Sequence, residues 1–291
     1  MKLRQTTLIL SLLLAIPLFA QENDEVGIWS EIGIEKAITK NWDVGLDLEY
    51  RAQNKARFSA GLGTSYKLNK YLKFGLNYSF LYSEKNAFKD KSEGEVGSDD
   101  WTRGYKLLTD NWYPRHRFSA EATGSIKLWQ WLKISLRERY QLTHRRERNV
   151  ERLVHLENHM KEIVDWDEDW NPIIEEATYI IDKTEMKNYP TLTDQVLRSR
   201  LKLEYDKKRC PFSPFVSAEF HNSISVGDHM LLQKIRTAVG CGYKFRKHNE
   251  VSLSYLITFD MYDIEEDENV RETVRLHDRL HAINIGYKYS F

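Results

Sequence analysis

The chain has 291 residues, with 43 Lys or Arg against 43 Asp or Glu, so its formal net charge is zero. That balance supplies no overall field for nucleic acid. Two cysteines, Cys210 and Cys241, are too few for a disulfide scaffold or a cysteine metal site. After residue 20 no apolar run approaches the roughly 18–20 residues of a membrane helix.

The N-terminus opens with Lys2 and Arg4, followed by an apolar stretch from Leu8 to Phe19 and a small-residue exit at Ala20. That is the pattern of a secretory signal peptide over 1–20, leaving a mature chain of about 270 residues from Gln21. No Cys follows the expected cleavage point, so a lipid anchor is not expected.

From there the chain is dominated by period-2 alternation. A weaker run at 26–37 precedes Trp42, Val44, Leu46, Leu48 and Tyr50, which alternate with Asp43, Gly45, Asp47, Glu49 and Arg51. Runs of the same kind follow at 58–67, 72–82, 115–128, 132–144, 195–206, 215–224, 231–245, 250–262 and 281–291. A strand sends alternate side chains to opposite faces, so each run has one apolar and one polar face. Runs of 10–12 residues have the length of a tilted membrane strand.

Alternation alone fits a soluble barrel as well as a membrane barrel. The links separate the two. Short ones (39–41, 69–70, 130 and 246–248) alternate with long ones near 84–113, 145–193, 225–230 and 263–278. Short turns at one end and long loops at the other are the membrane-barrel habit, as is an aromatic girdle. Trp42, Trp129, Trp131, Tyr243 and Tyr287 gather at the short-turn end. The expected fold is therefore an all-β, antiparallel, up-and-down transmembrane barrel filling residues 21–291.

About eleven runs are visible, whereas single-chain bacterial barrels have even strand numbers. Twelve strands are expected, with ten as the alternative. Counting back from a C-terminal strand that descends to the periplasm, the run at 26–37 descends too. Either a strand near the N-terminus escapes detection or the N-terminal segment threads the lumen.

The chain resembles the small outer-membrane barrels of Gram-negative bacteria catalogued as a domain of unknown function. The residues carrying the resemblance are the strand Trp42 to Arg51, the turn from Tyr66 to Leu72, and the strand Phe74-Gly75-Leu76-Asn77-Tyr78. The C-terminal strand adds Ile283, Ile285, Tyr287, Tyr289 and the final Phe291. In outer-membrane barrels such a strand is the signal read by the barrel assembly machinery. The resemblance implies an outer-membrane location, with lipid and lipopolysaccharide as surroundings, and implies no reaction.

Assigning the polar faces inward lines the lumen with Arg115, Arg117, Arg137, Arg139, Arg198, Arg200 and Arg236, while acids such as Glu31, Glu35, Asp43, Asp47 and Glu49 gather on the first two runs. The expected function is a non-enzymatic barrel, acting as a narrow anion-preferring channel. The alternative is a closed structural or recognition barrel whose Arg and Glu side chains interlock, since eight strands are filled and sixteen leave a channel.

Three weaker signals stand apart. Val150, Leu153, Val154, Met160, Ile163 and Val164 suggest a short amphipathic helix carrying His155 and His159 one turn apart, a pair lacking further metal ligands. Two acidic clusters, at 165–169 and 263–268, are read as solvated loop charge. Ser199 and His144 sit on successive strands, which keeps an outer-membrane lipase as a third reading, although no orienting group or oxyanion donors accompany them. No metal or cofactor is expected, and the two thiols are expected free, because a bridge would have to cross an intervening strand.

Overall fold

The computed structural model describes residues 24–53, 55–85, 88–93, 101–167, 169–170, 172–224, 230–267, 270–275 and 279–291. The segment 1–20 read as a signal peptide lies outside them. All regular elements among the described residues are strands. In chain order they are β1 (Glu25–Ala37), β2 (Trp42–Ala52), β3 (Arg57–Lys67), β4 (Leu72–Glu84), β5 (Phe88–Glu93), β6 (Trp101–Leu108), β7 (Trp112–Leu128), β8 (Leu132–Arg145), β9 (Arg148–Trp166), β10 (Pro172–Tyr189), β11 (Leu192–Tyr205), β12 (Phe212–Ser223), β13 (Leu231–Phe245), β14 (Asn249–Asp260), β15 (Tyr262–Asp267), β16 (Val270–Arg275) and β17 (Arg279–Ser290).

The chain divides into two units. The first, containing 1–82, 114–144 and 193–291, holds a closed barrel in the order β1-β17-β14-β13-β12-β11-β8-β7-β4-β3-β2. Eleven strands close it, against the expected twelve. In an up-and-down meander an odd count forces the first and last strands to run the same way. β1 and β17 accordingly pair in parallel, from Glu25 opposite Leu280 to Glu35 opposite Ser290. Closure leaves no strand edge exposed, the condition for a sheet in hydrocarbon.

The side chains are inverted relative to a soluble barrel. Large apolar residues point out along every second position, including Ile32, Leu46, Leu62, Leu76, Leu136, Val239 and Ile285. The buried residues include Asp43, Ser119, Gln141, Thr143, Glu219, Ser254 and Thr258. Aromatic rings crowd the short-turn end: Trp129 stacks on Trp131 at 5.5 Å, and Phe212 lies 4.8 Å from Tyr243. The turns there are shaped by their own side chains. Thr39 Oγ1 accepts from the Trp42 backbone N–H at 3.1 Å, and Asn69 Oδ1 from Tyr71 and Leu72 at 2.8 and 2.9 Å, the turn-forming habit of these residue types.

The second unit, 83–113 with 145–192, is a four-stranded sheet in the order β10-β9-β6-β5. The helix expected near residues 150–164 is instead the long strand β9, paired with β10 from Arg148 opposite Tyr189 to Trp166 opposite Pro172. The reason is arithmetic. Val150, Val154, Met160 and Val164 are separated by even numbers, so their spacing suits a strand face as well as a helix face. The segment 263–278, read as a loop, contributes to the two-stranded pair β15–β16.

Candidate functional site

The inward faces of the barrel strands create a charged lumen, and strand register decides who meets whom. Arg139 lies opposite Glu121 across β7–β8, and its Nε donates to that carboxylate at 2.8 Å. Glu219, on β12, is only 4% exposed and is the hub of the network. It accepts from Arg137 Nη2 at 2.9 Å and from Arg198, while His221 Nε2 lies 2.8 Å away. A second hub, Glu49, accepts from Arg51 at 2.8 Å and from Arg57 at 2.6 Å. Shared carboxylates of this kind form strong charge-assisted bonds.

Three guanidinium groups stand differently. Among the described residues, no carboxylate lies within ion-pair distance of Arg117, Arg200 or Arg236. Arg117 Nε donates to Thr143 Oγ1 at 3.1 Å, and Arg236 Nε to Thr258 Oγ1 at 3.0 Å. Each threonine is the residue directly opposite on the neighbouring strand. In Arg117 and Arg236 the Nε edge is thereby held, and the Nη donors are left without a protein partner among the described residues, whereas the Arg200 Nε is buried with no hydrogen-bond partner among them.

All seven arginines singled out from the sequence lie on the inward face. The structure adds three participants that sequence patterning missed. Arg57 sits at the start of β3, one residue before the run that alternation detects. His221 is inward on β12 beside Glu219. Trp29, 3% exposed, projects inward from the weakly patterned β1 and packs with Leu256, Leu280 and Ala282. Its ring carries the Arg51 and Arg236 guanidinium groups at 3.6 and 4.8 Å from its centroid.

Toward the short-turn end the charges are lysines and acids. Lys288 pairs with Glu35 at 2.5 Å, Lys73 with Asp43 at 3.7 Å and Lys67 with Asp43 at 3.4 Å. They border a cavity of ≈ 310 Å³ that His248, Ser290 and Phe291 also line. The lumen thus passes from a guanidinium-rich end to a lysine–carboxylate end.

The remaining sequence candidates separate. Ser199 Oγ donates to Glu138 at 2.6 Å, and His144 Nδ1 contacts Thr193 Oγ1 at 3.0 Å. Six residues along β11 divide these contacts, about 20 Å at the strand rise, so serine and imidazole do not meet. His155 and His159 share a face of β9, but His155 contacts Asp182 at 2.5 Å and His159 contacts Thr178 at 3.1 Å. Among the described residues no group of three metal-ligating side chains occurs. Asp165 and Asp167 each accept a backbone N–H at the β9–β10 tip; Glu168 lies outside the described residues, as do the side chains of the cluster at 263–268. Cys210 and Cys241 are free thiols.

Of the C-terminal residues, Ile283, Ile285, Tyr287 and Tyr289 lie outward on β17, against Ile28, Ser30, Ile32 and Ile34 of β1. Phe291 continues the pairing through its N–H to Glu35 O at 3.0 Å and its carbonyl to Ala37 N at 3.1 Å.

A closed, inside-out barrel with an aromatic rim and a charged interior defines a transmembrane β-barrel. The chain belongs to the family DUF2490, described as proteins of unknown function, whose sequence profile matches residues 26–269. No curated protein matches it. Solved structures similar to it include the CymD monoaromatic hydrocarbon channel, 10% identical, with 83% of this chain and 85% of that one covered and a TM-score of 0.40. The translocator domain of autotransporter NalP from Neisseria meningitidis is also 10% identical, with 87% and 90% covered and a TM-score of 0.29. The alcaligin outer-membrane receptor FauA from Bordetella pertussis is 10% identical, with 83% and 44% covered and a TM-score of 0.20.

Proposed function

We propose that this protein is a non-enzymatic barrel of the Gram-negative outer membrane that acts as a narrow, anion-preferring channel. The observation that carries the reading is the surplus of inward guanidinium groups. Arg137, Arg139 and Arg198 are matched by Glu121 and Glu219, while Arg117, Arg200 and Arg236 have no carboxylate at ion-pair distance among the described residues. Fixed cations in a low-dielectric cylinder raise the local concentration of anions and repel cations. The outer-membrane location draws support from the apolar exterior, the aromatic short-turn end and the aromatic C-terminal strand. Lipid, lipopolysaccharide and the barrel assembly machinery are its proposed partners.

The test is planar-bilayer recording of the refolded protein across a KCl gradient. A reversal potential displaced toward that of chloride supports the reading; a potassium-selective pore overturns it.

A second reading has its own support. Glu219 ties β8 and β11 side chains together through Arg137 and Arg198, and Glu49 does the same for Arg51 and Arg57. Cross-links of this sort close a small barrel, which would then act as a structural or recognition element. Silent bilayers containing correctly folded barrel would favour it.

A further inference from the structure

We infer that the lumen holds a discrete binding site for a phosphate-type oxoanion, formed by Arg57, Arg117 and Arg236. The inference deepens the anion-channel reading and rests on it for solute access to the lumen.

Three observations converge. The first is charge crowding. Arg236 shares the Trp29 ring with Arg51, Arg51 shares Glu49 with Arg57, and Arg117 is held by Thr143, two residues along β8 from the Gln141 that accepts from Arg198. The carboxylates bordering this group are Glu49 and Glu219, the latter opposite Arg236 in register. Both carboxylates are already shared, Glu49 by Arg51 and Arg57, Glu219 by Arg137 and Arg198. Like charges gathered out of bulk water repel strongly unless a counter-charge joins them.

The second observation is pre-organisation. Arg117 and Arg236 are each held through Nε by the threonine opposite, Thr143 and Thr258. Arg236 is also held by the Trp29 ring, on which Arg51 lies too. A guanidinium fixed by one edge and one face keeps its two Nη donors in a defined place, so little side-chain entropy is lost when an anion arrives.

The third is an unmet donor. Arg57 Nε is buried and has no hydrogen-bond partner among the described residues. A buried donor left unmet is costly, and a ligand oxygen relieves that cost.

Paired N–H donors match two oxygens of one tetrahedral group, whereas chloride is a single point and cannot use the fork. More than one excess cation favours a multiply charged ligand. A free phosphate and a lipopolysaccharide phosphate offer the same chemistry, and the measurement separates them.

The experiment is isothermal titration calorimetry on the full-length protein refolded in detergent micelles free of lipopolysaccharide. Inorganic phosphate is titrated against chloride at matched ionic strength, and the titration is repeated with lipopolysaccharide in the micelle. Saturable binding of inorganic phosphate is expected. Arg117→Gln and Arg236→Gln should each weaken it roughly tenfold, the loss of one charge-assisted pair. Phosphate binding that is lost when lipopolysaccharide is in the micelle shows a lipid phosphate competing for the same arginines and supports the site. Phosphate behaving like chloride in the wild-type protein under both conditions overturns the site, even if both variants fail to fold; so does a folded double variant that binds as wild type. The KCl reversal potential on the same preparation keeps the two readings apart. Chloride preference without phosphate binding sinks the site alone, and phosphate binding in a non-selective barrel sinks the channel reading alone.

Discussion

The guanidinium of Arg51 lies over the indole of Trp29, 3.6 Å from its centroid, and the Trp29 Nε1–H donates to Gln53 Oε1 at 2.9 Å. An aromatic side chain inside a membrane barrel is thus a platform for cations rather than a contact for lipid. Replacing it removes apolar packing against Leu256, Leu280 and Ala282 together with two cation–π contacts. Trp29→Ala should destabilise the barrel by about 3–5 kcal/mol. Trp29→Phe, which keeps a ring, should lose less. Urea unfolding in lipid vesicles, followed by circular dichroism, measures both; equal losses would show that the ring is irrelevant.

Glu219 is buried among Arg137, Arg198 and His221. Glu219→Gln leaves buried cations without their counter-charge and should cost about 3–5 kcal/mol, the usual result of breaking one side of a buried pair. The same change raises the net positive charge of the lumen, so any conducting protein should become more anion-selective. Unchanged stability would mean that the network is loose and solvated.

Glu138 lies on the outward face of β8, opposite Ala122 and hydrogen-bonded to Ser199. An acid facing hydrocarbon is unfavourable, although less so than Lys or Arg. Glu138→Leu combined with Ser199→Ala should therefore stabilise the barrel in bilayers by about 1–2 kcal/mol, with a smaller gain in a detergent that admits water. Destabilisation in both would show that the pair performs a task the lipid face does not explain.

In the second unit, Gly104 has φ +142°, and a Cβ there would meet the His155 carbonyl oxygen and Leu156 Cα. Neither is a flexible side-chain tip, so the strain has no cheap relief. Gly104→Ala should loosen the β6–β9 pairing and speed amide exchange across Trp101–Leu108, while the barrel strands keep their protection. Unaltered exchange in β6 would contradict that assignment.

Much of the barrel was legible in the sequence because lipid outside and charge inside impose a strict period of two. The runs beginning at Trp42, Leu72 and Leu132 coincide with β2, β4 and β8 within a residue or two. The strand number was harder. Eleven contradicts the even-number habit, and the parallel seam of β1 with β17 is a long-range pairing that no local pattern encodes. The helix expected near His155 failed for a simpler reason: a spacing of four residues satisfies both periods. Within the lumen, alternation assigns a face to each of the seven arginines but is blind to partners, because Glu219 meets Arg137 across 82 positions of sequence. Trp29 was invisible as a lumen residue because its strand alternates weakly.

The most direct measurement of the central claim is the reversal potential of the wild-type barrel and of Arg137→Glu combined with Arg198→Glu in a planar bilayer under a KCl gradient. A lumen governed by its guanidinium surplus predicts chloride selectivity in the wild-type protein, erased or reversed in the double variant. A wild-type pore that favours potassium, or a folded double variant with unchanged chloride selectivity, would contradict the account.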